Sequence, residues 1–242
     1  MYPNIHIIIP SYTFFAVLGG MCVALFLFFR LDKYEFLFSD FLKMFALCLV
    51  CGFLGSRIVF IISRIPWLIF NFSLKALLST ILGGGFVFYG GLFGVLIGVY
   101  IYTKKHDYTT KTVMNMIVPA IPLFHILGRI GCFFAGCCYG FKFPSVISLG
   151  IISIDRFPTQ LVEAFFNLIL FLIILLIQKK KPTLDYLRIY LLSYATFRFI
   201  IEFTRGDLVR GVFWGISTSQ IISLTIIAYY IINAIKVKTQ KK

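Results

Sequence analysis

From Ser11 to Phe29 the chain carries no charged residue, and Arg30, Asp32 and Lys33 then end the run. At roughly 17–25 residues such a run crosses about 30 Å of hydrocarbon as a helix. A helix satisfies its own backbone N–H and C=O groups, which lipid cannot do. The pattern repeats along the sequence. Further spans are expected over about Phe41 to Ser63, Gly83 to Tyr102, Val113 to Leu127, Gln160 to Ile177, Leu184 to Thr204 and Phe213 to Ile235. Pro119 and Pro122 break the fourth, and Arg64, Pro66, Trp67 and Lys75 mark an interfacial loop after the second. Phe141 to Phe157 reads as a loop. The expected fold is an all-α membrane protein of about seven transmembrane helices, in one domain over residues 1–242.

Composition removes the soluble alternative. Charged residues make up 13% of the chain and hydrophobic ones 60%, against about 25% charged in a soluble domain. A net charge of +14 would suggest nucleic acid in a soluble protein. Here the basic residues sit in short loops, which suits a cytoplasmic face and anionic lipid, so no nucleic-acid partner is expected. Lys104, Lys105 and Lys111 follow the third span, Lys179 to Lys181 the fifth, and Lys236, Lys238, Lys241 and Lys242 the last. That asymmetry puts the N-terminus outside and the C-terminus in the cytoplasm. Met1 to Ser11 lacks the basic start and small-residue cleavage site of a signal peptide.

His125 to Gly140, HILGRIGCFFAGCCYG, interrupts the apolar pattern with Arg129, three cysteines and the glycines Gly128, Gly131, Gly136 and Gly140. An arginine at bilayer depth costs about 2.5–3.5 kcal/mol on insertion scales and usually faces a protein interior or a wet cavity. Arg198 and Glu202 are four apart and share a helix face, either as a neutralised pair or as a polar lining with an arginine for an anion. Arg57, Arg129 and Arg198 all lie in apolar or glycine-rich context. Their convergence would suit phosphate, whose oxygens a guanidinium binds with two parallel hydrogen bonds.

Other features are weaker alone. Tyr89 precedes Gly90 and Gly91 at a helix start, where glycine usually serves packing. Tyr12 after Pro10 reads as an interfacial anchor. In PTQLVEAF, Pro158 and Thr159 open a helix with Thr159 as its cap, and Gln160 and Glu163 fall in its first turns. Cys132, Cys137 and Cys138 admit four readings: small-residue packing, a disulfide, a nucleophile activated by Arg129, or a zinc site of unusual spacing.

Taken together, these segments resemble the bacterial prolipoprotein diacylglyceryl transferases. The resemblance rests on PSY (Pro10 to Tyr12), GFLGSRIVF (Gly52 to Phe60), GGG…FVFYGGLFG (Gly83 to Gly94), GRIG with its following glycines, RFPTQLVE (Arg156 to Glu163), RFIIEFTRGD (Arg198 to Asp207) and a late serine-rich segment from Gly215 to Ser223. It implies a multi-pass protein of the bacterial cytoplasmic membrane. The implied reaction moves a diacylglyceryl group from phosphatidylglycerol to the lipobox cysteine thiol of a prolipoprotein, releasing glycerol phosphate. By position Arg129 and Arg198 would serve the phosphate, Glu202 would orient Arg198, and Tyr12 would line the site. Arg57, Gly90, Gly91, Gly128, Gln160 and Glu163 would line the substrate site with them. The partners implied are phosphatidylglycerol, the precursor and membrane lipid, with no metal or other cofactor. Three positions depart from the family pattern. Tyr89 stands where histidine is usual, Cys132 where asparagine is usual, and Cys137 where an acidic residue is usual. Tyr89 and Glu202 are then the nearest candidates for proton handling, and Cys132 and Cys137 join the substrate-binding set. A transferase with another acceptor, or a lipid-binding or transport protein without transfer chemistry, remain the alternatives.

Overall fold

The structure, a computed structural model, describes residues 4–5, 9–83, 87–149, 152–206, 212–213 and 216–239. Gly84, Gly85, Asp207, Gly215, Lys241 and Lys242, which belong to segments named above, lie outside that set. A short pair, β1 (Asn4–Ile5) and β2 (Ile9–Pro10), leads into α1 (Ser11–Phe28). There follow α2 (Phe38–Phe70), α3 (Leu74–Leu82), α4 (Phe88–Lys105), α5 (Thr110–Ile117) and α6 (Ala120–Ala135). A hairpin of β3 (Lys142–Leu149) and β4 (Ile152–Arg156) precedes α7 (Thr159–Lys180) and α8 (Tyr186–Ile201). A 3₁₀ turn (Glu202–Thr204), the second after that at Asp32–Tyr34, the two-residue strands β5 (Val212–Phe213) and β6 (Ile216–Ser217), and α9 (Thr218–Thr239) complete the described elements.

Stretches of α1, α2, α7 and α9 and the joined run of α5 and α6 are long and apolar enough to cross a membrane. Phe29, Phe70, Met21 and Leu176 expose most of their side chains on such helices or at their ends, as lipid-facing residues do. The expected fifth span agrees closely with α7. Several boundaries differ from the sequence expectation; α4 begins at Phe88 and not Gly83, and α9 at Thr218 and not Phe213. The loop expected from Arg64 to Lys75 is largely helix, because Leu68 is buried and α2 continues to Phe70. Ser73 then restarts the chain as α3, its Oγ accepting from the Ala76 N–H at 3.1 Å. The fourth span does not stop at Leu127 but runs through Arg129 to Ala135. Phe141 to Phe157 is mostly the β3–β4 hairpin, whose sequence is rich in the β-branched residues that favour strands.

The chain divides into two compact units, residues 1–29, 115–210 and 219–242, and residues 30–114 and 211–218. In the second unit α2 crosses α4 at backbone contact. A Cβ on Gly94 would run into the Cys51 carbonyl, and one on Gly90 would meet Val59 Cβ at 2.9 Å. Small residues here let dispersion between backbones replace a hydrophobic force that lipid does not supply. In the first unit α6 lies between α1 and α7, and α7 packs on α8. Phe166 and Phe197 stack with ring centres 3.9 Å apart. Asn115 and Gln178 tie the loop ends, Asn115 Nδ2 donating to the Pro182 and Leu184 carbonyls at 3.3 and 3.1 Å.

Candidate functional site

Polar residues recur at helical spacing on the buried sides of α6, α7 and α8. On α6 these are His125 and Arg129, on α7 Gln160, Glu163 and Asn167, and on α8 Tyr186, Tyr190, Tyr194 and Arg198, with Glu202 just beyond. Residues three or four apart on a helix share a face. In a lipid-facing bundle the interior is the place where polar groups find partners.

Glu163 is the hub. Its side chain is 1% exposed. Oε1 accepts from Arg198 Nη1 at 2.5 Å, and Oε2 pairs with Arg129 Nε. Arg198 Nη2 reaches Glu202 Oε2 at 2.6 Å and Ser219 Oγ at 3.3 Å. Arg129 Nε also faces His125 Nε2 at 3.1 Å, with the Tyr194 hydroxyl 3.5 Å from the same nitrogen. The His125 ring meets the Tyr194 ring edge-on at 4.9 Å. Asn167 Nδ2 donates to the Glu163 carbonyl at 2.8 Å, one turn on. Two guanidiniums and two carboxylates thus form a formally neutral network. Burying any one of these charges alone would cost several kcal/mol, so the network makes the cluster tolerable in a low-dielectric interior.

The two arginines are held differently. Arg198 is fixed through both Nη atoms. Arg129 is fixed through Nε, and among the described residues its Nη1 and Nη2 make no hydrogen bond. Beside it, a Cβ on Gly128 would meet nothing within 4 Å. The Arg129 fork therefore has two donor groups to offer a ligand. Tyr12, on α1, passes close to this part of α6: its Cα is 3.4 Å from where a Gly131 Cβ would be, and its phenol lies in electrostatic reach of Arg129 and the three cysteines.

The end of α6 and the start of α7 are joined here. Gly136 has φ 71° and closes α6 with Gly136 N–H to Phe133 O at 3.2 Å and Cys137 N–H to Cys132 O at 3.1 Å. Thr159, expected as the cap of α7, donates its hydroxyl to the Cys138 carbonyl at 2.6 Å instead; Pro158 is the cap. Gln160 Nε2 donates to the Cys137 carbonyl at 2.6 Å. Cys132, Cys137 and Cys138 are free thiols, buried, exposed and half-buried in that order, with sulfurs all within 4.8 Å of one another.

Of the residues singled out from sequence, the first unit brings together Arg129, Arg198, Glu202, Glu163, Gln160, Tyr12, Gly128, Cys132 and Cys137. Tyr89, Arg57, Gly90 and Gly91 belong to the second unit. There Tyr89 is buried on α4 with its ring near Phe88 and Phe93. Arg57 gives Nη1 to the Gly83 carbonyl at 2.7 Å and Nη2 to that of Ile81, so it caps the end of α3. Gly90 serves the α2–α4 crossing, while a Cβ on Gly91 would find ordinary contacts. His125, Tyr194, Asn167 and Ser219 were not anticipated as site residues. The signal that points to the first three is the spacing of polar residues within otherwise apolar helices, four apart in His125/Arg129, Glu163/Asn167 and Tyr194/Arg198.

A family model, prolipoprotein diacylglyceryl transferase, matches residues 3–236. The chain belongs to that family. Its relatives include the phosphatidylglycerol–prolipoprotein diacylglyceryl transferase of Clostridium tetani, 34% identical over 204 residues, or 79% of each chain. A second such enzyme, numbered 2 in Clostridium perfringens, is 32% identical over 94% of this chain and 92% of its own. The Vibrio cholerae enzyme is 35% identical over 74% of this chain and 69% of its own. The arginine and glutamate network described above lies within the matched region of the family.

Proposed function

We propose that this protein transfers the diacylglyceryl group of phosphatidylglycerol to the lipobox cysteine thiol of prolipoproteins, in a bacterial cytoplasmic membrane that it crosses about seven times. Family membership supports the reaction class. The observation that carries the site assignment is Arg129, held by Nε against Glu163 while, among the described residues, neither Nη group makes a hydrogen bond. Two parallel N–H donors suit two phosphate oxygens of the donor lipid.

The chemistry follows from that geometry. The acceptor thiolate attacks the glyceryl carbon, the C–S bond forms, and the C–O bond to phosphate breaks. The electron pair departs on the phosphate oxygen, and Arg129 donates to the charge that grows there. Arg198 holds Glu163, and through it the angle of Arg129; Glu202 and Ser219 hold Arg198 in turn. Because Glu163 and Glu202 offset the guanidinium charges, the site attracts phosphate by directed hydrogen bonds more than by net charge. That moderates the hold on a product carrying more negative charge than the substrate. Tyr12 lines the same end of the site. Tyr89, Arg57, Gly90 and Gly91 keep their assignment to the substrate site by family position, with Tyr89 a candidate for proton handling. The seven-span count, the outward N-terminus and the single membrane domain are parts of the same proposal.

The test is glycerol phosphate release by the purified protein in phosphatidylglycerol vesicles, with a lipobox peptide and with its cysteine-to-serine counterpart. Release with the cysteine peptide alone is the expected result. Release without any peptide would favour a different acceptor, and bound lipid with no release would favour a binding protein.

A further inference from the structure

The cysteine cluster is built by backbone geometry. The pair of bonds that closes α6 around Gly136 is the motif in which the residue three before the helix cap and the second residue after it bring their side chains together. Those two residues are Cys132 and Cys137. Cys138 then takes φ 60°, a left-handed conformation that a residue with a Cβ rarely adopts. Thr159 and Gln160 hold the carbonyls of Cys138 and Cys137, so the strained turn is fixed from α7. Small-residue packing requires neither the strain nor a third sulfur. Strain of this kind gathers at functional positions.

Three sulfurs within 4.8 Å of one another are more than a disulfide needs. An S–S bond of about 2.05 Å would pull two of them much closer and leave the third over. Tetrahedral thiolate ligation at about 2.3 Å places sulfurs a little under about 4 Å apart, which these three reach by small rotations. Arg129 and Arg205 lie in electrostatic reach of Cys138 and would offset thiolate charge. Three protein ligands leave the fourth position of a tetrahedral ion open, the arrangement of catalytic zinc sites. Cys137 is exposed, so the cluster is reachable from outside the bundle.

We propose that Cys132, Cys137 and Cys138 bind one thiophilic metal ion of the zinc class through three thiolates, with the fourth position open to the acceptor cysteine. The second half rests on the transferase reading. The acceptor S–H gives its proton to solvent as its sulfur ligates the ion. The resulting thiolate forms the C–S bond while the phosphate leaves with the C–O electron pair. This supplies thiol activation where the family's usual histidine, asparagine and acidic positions are Tyr89, Cys132 and Cys137.

The experiment is titration of the reduced, full-length protein with Co²⁺, followed by optical absorption, alongside zinc quantification by mass spectrometry. About one equivalent should bind with intense thiolate charge-transfer bands. The bands should be lost in Cys132→Ser, Cys137→Ser and Cys138→Ser and kept in Cys22→Ser. Absence of the bands in the wild type, or equal bands in Cys137→Ser and Cys138→Ser, overturns the metal site. Adding the lipobox peptide should shift the bands, and the serine peptide should not. Bands that the cysteine peptide leaves unmoved overturn the acceptor half alone. Cobalt binding in a protein that transfers no lipid overturns the transferase reading and leaves the metal site standing.

Discussion

Glu163→Gln keeps the size of the side chain and removes the charge that Arg129 and Arg198 share. Breaking a buried pair by removing one partner typically costs about 3–5 kcal/mol, because the other charge stays buried and uncompensated. The variant should unfold at a clearly lower temperature in detergent and lose transfer activity. A melting temperature equal to wild type would mean that Glu163 is not the hub. Gly128→Ala separates stability from function. A Cβ there meets open space and alanine is the better helix former by up to about 1 kcal/mol, so the melting temperature should hold or rise. Transfer should fall severalfold if that space receives the lipid. Unchanged rates with unchanged stability would show the space to be unused.

At the scale of elements, Gly94→Ala drives a methyl into the Cys51 carbonyl and should cost about 1–3 kcal/mol as overpacking. Gly20→Ala, with nothing within 4 Å, is the matched control and should be neutral or slightly stabilising. Thermal unfolding of the two side by side checks both. The long helices were legible in the sequence because an uncharged run such as Ser11 to Phe29 leaves the backbone little alternative in lipid. Boundaries were less legible. Leu68 and Phe70 extend α2 past Arg64 because an arginine or tryptophan at an interface does not itself stop a helix. The β3–β4 hairpin was hidden by Pro144 and the Asp155–Arg156 pair, which read as loop. In the site, Arg198/Glu202 was visible as a four-residue spacing, and Arg129 as a charge out of place. That Glu163 joins the two arginines was not, since Arg129, Glu163 and Arg198 stand on three different helices and only packing brings their polar faces together.

For the whole molecule, the distribution of lysine predicts the topology that the proposal needs. The basic loop at Lys179–Lys181 and the tail from Lys236 should lie in the cytoplasm. Green fluorescent protein fused to the C-terminus should fluoresce in cells, while alkaline phosphatase at the same place should stay inactive. The reverse pattern would invert the orientation. Arg129 is held through Nε, and among the described residues its Nη groups make no hydrogen bond, so both can donate to a phosphate. The direct measurement is glycerol phosphate release from phosphatidylglycerol, with a lipobox peptide, by Arg129→Ala and wild type at matched melting temperature. A loss of about a hundredfold or more, equivalent to about 2.7 kcal/mol, is predicted. Wild-type rates in Arg129→Ala would contradict the assignment of the phosphate to this arginine.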